Sequence, residues 1–157
     1  MASNKAVIIR KLDRESVSGY AAPEYVRDGR VELLNSSGKL VLVPLAEVKA
    51  VYFVRNIEAS EEIVRKSFPS RPRMDGLWLR LHFRDQEILE GVMPNELIQQ
   101  GSHGFLITPP DTRGNTQRMF VPRSALQAVT VLGVIGSTLA RPKKPAEEQP
   151  RLFAEAE

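Results

Sequence analysis

The chain has 157 residues, 42% hydrophobic and 26% charged, the composition of an ordinary soluble protein and the length of one domain or two very small ones. Its 22 basic residues against 19 acidic ones give a net charge of +3, compatible with an anionic partner but too small to demand one. With no cysteine, a disulfide framework, thiolate zinc sites and thiol catalysis are excluded.

The opening residues run into a strand-like segment interrupted by Arg10, Lys11 and Asp13, so no apolar export region is expected. Strands are predicted over 6–12, 31–34, 40–43 and 50–54, where β-branched and aromatic residues concentrate. Asp28-Gly29 and Asn35-Ser36-Ser37-Gly38 supply turn chemistry between them. Over residues 56–76 the charge density rises, and Glu61/Arg65 and Glu62/Lys66 are i,i+4 pairs that predict a short helix over 60–67. Strands resume over 77–83, 105–108, 119–121 and 128–131. Leu79, Leu81 and Phe83 alternate with Arg80, His82 and Arg84, the period of a half-buried strand. The apolar stretch from Ala125 to Ala140 contains Gln127, Ser137 and Thr138 and is shorter than the roughly 20 residues a membrane span requires. Residues 141–157 are rich in Pro, Glu, Lys and Ala and are expected to be disordered. The default location is the cytoplasm, away from any membrane.

The two strand-rich parts echo each other. Residues 7–19 align with 79–91, pairing Asp13 with Asp85, Glu15 with Glu87 and Gly19 with Gly91. Val43-Pro44 and Val48-Lys49-Ala50-Val51 recur as Val121-Pro122 and Leu126-Gln127-Ala128-Val129. Self-similarity of this kind marks a duplicated structural unit. It divides the chain into a first repeat (5–55), a charged linker (56–76) and a second repeat (77–136). A glycine at the same place in both copies predicts a bulge or sharp bend where a Cβ would clash. Pro44 and Pro122, lacking the ladder donor, are expected at strand ends.

The order of strands, the strand glycine and the short turn before the apolar closing strands 50–54 and 128–132 resemble the Sm-like barrel of LSm proteins and bacterial Hfq. The resemblance covers residues 5–55 and 77–133 and implies an all-β protein of two tandem small barrels packed as a pair. The chain also resembles an uncharacterised bacterial domain family in which a tandem repeat of this type ends in a Lys-Ala-Val-aromatic strand, here Lys49-Ala50-Val51-Tyr52. The turn that contacts RNA in the Sm family is here Pro44-Leu45-Ala46-Glu47 in the first copy and Pro122-Arg123-Ser124-Ala125 in the second, so only Arg123 matches its basic character. Asn35-Ser36-Ser37-Gly38 shares Asn and Ser with the cyclic di-GMP motif of PilZ receptors, but its Gly comes too early.

No Gly-rich phosphate loop, HExxH motif or nucleophile elbow is present, and His82 and His103 lie apart, so neither an enzyme nor a cofactor or metal protein is expected. Arg65, Lys66, Arg71 and Arg73 surround Phe68 without an intervening acid, cations for phosphates beside a ring that could stack on a base. The same residues equally suit a solvated linker with Phe68 packed on a barrel. Arg113, Arg118 and Arg123 lie in the region enlarged in the second copy, as a binding loop or a longer turn. In the closing strands, alternation places Val51, Phe53, Val129 and Val131 toward the cores and Tyr52 and Thr130 outward at an edge that needs a partner. Two functions of different class follow: a non-catalytic interaction domain, scaffold or adaptor that forms a homo-oligomer or binds a protein, and a module for RNA or a nucleotide, cyclic dinucleotides included.

Overall fold

A computed structural model describes residues 4–96 and 103–136. The disordered tail expected over 141–157 lies outside the described residues. Among the described residues the chain is all-β, with eleven strands and two short 3-10 turns. The first half contains β1 (Lys5–Lys11), β2 (Ser16–Ala21), β3 (Val26–Arg27), β4 (Arg30–Leu34), β5 (Leu40–Pro44) and β6 (Val48–Val54). The second contains β7 (Gly76–Phe83), β8 (Ile88–Met93), β9 (Gly104–Ile107), β10 (Thr116–Pro122) and β11 (Leu126–Ile135).

The two halves are built alike at the level of individual hydrogen bonds. β1 pairs β2 with Val7 opposite Gly19, and β7 pairs β8 with Leu79 opposite Gly91. Both hairpins turn through a residue of positive φ, Arg14 at 79° and Gln86 at 77°. Asp13 accepts the Glu15 amide at 2.9 Å and Asp85 accepts the Glu87 amide at 3.1 Å. The 3-10 turns Leu45–Glu47 and Arg123–Ala125 follow Pro44 and Pro122, which end β5 and β10. The repeated glycine answers to close approach: a Cβ on Gly19 would lie 2.3 Å from the Leu34 carbonyl oxygen, and one on Gly91 2.1 Å from Ile107 Cγ2. The register between β1 and β2 runs through Gly19 without a bulge, so the crossing strand, not a bulge, requires the missing side chain.

Two closed barrels are not what forms. The strands lie in an eight-stranded sheet of order β3-β4-β2-β1-β6-β10-β9, with β5 on β4, and a three-stranded sheet β11-β7-β8, all antiparallel. A bridge between Val92 and Thr108 ties the two sheets. The reason is the route of hydrogen bonding: β6 extends sideways into β10 of the other half, while β5 reaches β6 through a 3-10 turn.

β1 and β6 partition two cores. Val7, Ile9, Val51 and Phe53 face one with Val31, Leu33 and Phe120; Ile8, Ala50, Tyr52 and Val54 face the other with Leu79, Leu81, Phe83 and Met119. Every residue of β6 is buried, as its nearly unbroken apolar run requires of a strand covered on both faces. The expected outward Tyr52 is thereby corrected: it is 7% exposed on a central strand paired by both β1 and β10. Thr130 is exposed, but its neighbours Val129 and Val131 are exposed as well, so β11 does not keep the expected inward parity.

The linker forms no helix between Ser60 and Ser67. Its polar groups are drawn outward along the chain instead: the Ser60 carbonyl accepts Asn115 Nδ2 at 3.1 Å, that of Glu61 accepts Thr116 Oγ1 at 3.1 Å, and that of Lys66 accepts the Glu90 amide at 2.8 Å. Ile63 is buried in the second core beneath this strap.

Candidate functional site at the junction of the halves

The ladder of β6 on β1 slips at one point: Arg10 pairs with Ala50 and Lys11 with Val48, leaving Lys49 as the extra residue. A bulge re-aims a side chain. Lys49, 8% exposed in an otherwise apolar run, is thereby turned toward the second half. Its ammonium lies 2.7 Å from Asp85 Oδ2, contacts Glu87 Oε1 and stands 5.0 Å from the centroid of the Phe83 ring. Lys66 from the linker donates to the other oxygen of Glu87. Arg10 Nη2 lies 2.7 Å from Glu61 Oε2, which also accepts Ser16 Oγ at 3.1 Å. A cavity of about 360 Å³ opens among these groups, lined by Arg10, Lys49, Tyr52, Glu61, Lys66 and Glu87.

Three carboxylates thus answer three cations, and their titration follows. Burial pushes the Glu87 carboxyl up, but Lys49 and Lys66 outweigh it and hold the pKa below the ordinary value. For Asp85, burial is outweighed by Lys49 and the Glu87 amide, with the same outcome. Glu61 is also lowered, burial giving way to its own backbone amide and to Arg10. Burial, with the charge of Glu87 added, raises the Tyr52 phenol well above its usual range. The site is a set of ionised groups in mutual contact, and it joins first half, linker and second half.

The basic residues singled out from the sequence are dispersed by the fold. Lys66 is held by Glu87, Phe68 packs edge-on to Trp78 with centroids 6.3 Å apart, and Arg71 Nη2 donates to the Val134 carbonyl at 2.9 Å. Arg65 and Arg73 are exposed. Arg113 lies 3.5 Å from Asp111, Arg118 stands 5.9 Å from the Phe53 ring, and Arg123 stands 4.8 Å from the Phe105 ring. Arg118 also borders a cavity of about 550 Å³ with Tyr25, His103 and Phe120. The residues that do converge, Lys49, Arg10, Glu61, Asp85 and Glu87, carry one sequence signal: a lysine inside the apolar run 48–54, a placement that a charged residue takes only with a partner.

No curated protein and no solved structure matches the chain. A family model, described as a family of unknown function, DUF6982, matches residues 3–133. That span takes in every strand but the last two residues of β11, and the chain belongs to this family.

Proposed function

We propose that each half is an Sm-like unit and that the chain is a non-catalytic structural or regulatory interaction domain, a scaffold or adaptor. The observation that carries the reading is the state of two strands. β5 pairs with β4 alone and β11 with β7 alone among the described residues, and both expose large apolar side chains, Leu40 and Leu42 on one and Val129, Val131 and Val134 on the other. A strand edge with free backbone groups and apolar side chains is a template for another chain. The junction cluster supports the same reading, since its carboxyls are held ionised and its cations are balanced, a lock between halves with no group poised to give a proton. Binding of RNA or a nucleotide has less behind it, because Lys66, Phe68 and Arg71 are engaged by Glu87, Trp78 and Val134.

Photocrosslinking in living cells tests the choice. A photoreactive residue at Leu42 or Val131 should give protein adducts, and one at Arg73 should give neither protein nor nucleic acid. Nucleic-acid adducts from position 73, with silent edges, would replace the interaction reading by the RNA one.

A further inference from the structure

We infer that the two uncovered edges fit each other, so that a second copy of this chain is the partner and β11 of one copy adds to β5 of the next. The inference rests on the interaction-domain reading and names its occupant. Its basis is an interface already inside the molecule. β6, the closing strand of the first half, pairs antiparallel with β10 of the second, placing Val51 opposite Phe120, Tyr52 opposite Met119 and Phe53 opposite Arg118. β11 holds in the second half the position of β6: each follows a 3-10 turn, each pairs with the first strand of its half, and each skips its second residue, Lys49 in β6 and Gln127 in β11. β5 likewise holds the position of β10, each ending in a proline before the 3-10 turn.

Carrying the internal register across to the free strands sets Leu42 opposite Val129, Val41 opposite Thr130 and Leu40 opposite Val131. Those rungs are where the surface is apolar without evident cause. Leu40 is 59% exposed, Leu42 39%, Val129 37% and Val131 56%, four of the nine large hydrophobics exposed among the described residues. Three of their counterparts, Phe120, Val51 and Phe53, are buried in the internal junction, and the fourth, Arg118 in the place of Leu40, is exposed and stands over the Phe53 ring. The contact is heterologous, so successive copies close into a ring if the rotation permits and otherwise continue as an open array.

The absence of native cysteine makes the register directly testable. Full-length Leu42→Cys and Val129→Cys are prepared separately, checked for unchanged circular dichroism, mixed and mildly oxidised. Residues directly opposed on neighbouring strands have Cβ atoms about 5 Å apart, close enough for a disulfide after small adjustment. The expected product is the mixed disulfide, with the double variant giving a ladder of covalent multimers, and with Leu42→Cys against Thr130→Cys, whose side chain points to the other face, giving little. Val129→Cys linking mainly to itself would mean an isologous pair of β11 edges and would overturn the head-to-tail contact. An unmodified chain that stays monomeric by light scattering across the micromolar range, with no mixed disulfide, would also overturn it. In that event protein adducts at Leu42 or Val131 in cells would keep the interaction reading and remove only the second copy as its partner.

Discussion

β6 and β11 are the same strand in two circumstances. Each follows a proline and a 3-10 turn, each pairs with the first strand of its half, and each bulges at its second residue. Yet β6 is buried throughout, while β11 is exposed from Gln127 to Val131. The difference lies in what is next to them. β6 has β10 on its outer edge and a second core against its outer face; β11 has neither among the described residues. A strand's burial is therefore set by its neighbours and only secondarily by its own residue pattern.

The largest contrast is expected from one substitution made at both places. Tyr52→Lys removes a buried ring and adds a fourth cation beside a cluster whose three carboxylates already answer three cations, so lost packing and desolvation should together cost about 3 kcal/mol or more and leave little folded protein. Thr130→Lys puts the same charge at the matching position of an exposed strand. It should change folding stability by less than about 0.5 kcal/mol while dissociating any assembly built on β11. Denaturant melts with light scattering measure both, and equal destabilisation at the two sites would refute the comparison.

A smaller contrast concerns the bulged residues. Lys49→Ala leaves Asp85 without its main cation and Glu87 with Lys66 alone. Removing one member of so enclosed a group should cost about 3 kcal/mol. Gln127→Ala, at an exposed position, should stay within about 0.5 kcal/mol. The pH dependence sharpens the point. Asp85 and Glu87 titrate in the folded chain below their ordinary values of 3.8 and 4.5, so the unfolded chain takes up protons first as acid is added. Their contribution is complete above those values and is lost as the pH falls through the folded pKa values. The denaturation midpoint should therefore drop below about pH 4 in the native chain and drop less in Lys49→Met, where Lys66 still holds Glu87 and Arg10 still holds Glu61. Parallel pH profiles for the two proteins would show that Lys49 is not what holds the carboxylates ionised.

Much of this was legible in the sequence, for identifiable reasons. The echo of Asp13, Glu15 and Gly19 in Asp85, Glu87 and Gly91 encodes two hairpins with the same Asp-to-amide bond and the same glycine under a crossing strand. Local chemistry writes such features directly into residue type. The alternation of Leu79, Leu81 and Phe83 with Arg80, His82 and Arg84 likewise matches a strand with one buried face. What stayed hidden depends on contacts between distant segments. Tyr52 read as an outward residue because alternation presumes one covered face, and nothing local announces that β7 and β10 cover the other. The helix expected from Glu61/Arg65 and Glu62/Lys66 is absent because Glu61 and Lys66 find Arg10 and Glu87 across the fold, stronger partners than a solvent-facing i,i+4 neighbour. The basic cluster around Phe68 dissolved for the same reason.

The smallest expected effect is the most specific to the comparison. Inside the chain, Lys49 leaves the β6 bulge to meet Asp85 and Glu87 on the hairpin of the neighbouring half. In the head-to-tail contact the equivalent bulge presents Gln127, and the equivalent hairpin presents Asp13 and Glu15, whose cation is Lys11 of their own strand at 3.9 and 3.8 Å. The internal junction is thus held by charge as well as by ladder and apolar contacts, and the proposed external one by ladder and apolar contacts alone, which would make it the weaker and reversible of the two. Gln127→Lys restores the missing charge at the bulge. It should tighten self-association by about 0.5 to 1 kcal/mol, roughly two- to fivefold in the dissociation constant, because the new pair sits at an incompletely buried rim. The gain should fade with added salt and disappear when Asp13 and Glu15 are replaced by Asn and Gln, whereas the association of the unmodified chain should depend little on salt. Sedimentation equilibrium at low and high ionic strength reads both arms. A Gln127→Lys chain that associates no better than the native one at low salt would mean that the hairpin of the second copy does not lie over the β11 bulge, and the register transferred from β6 and β10 would have to be abandoned.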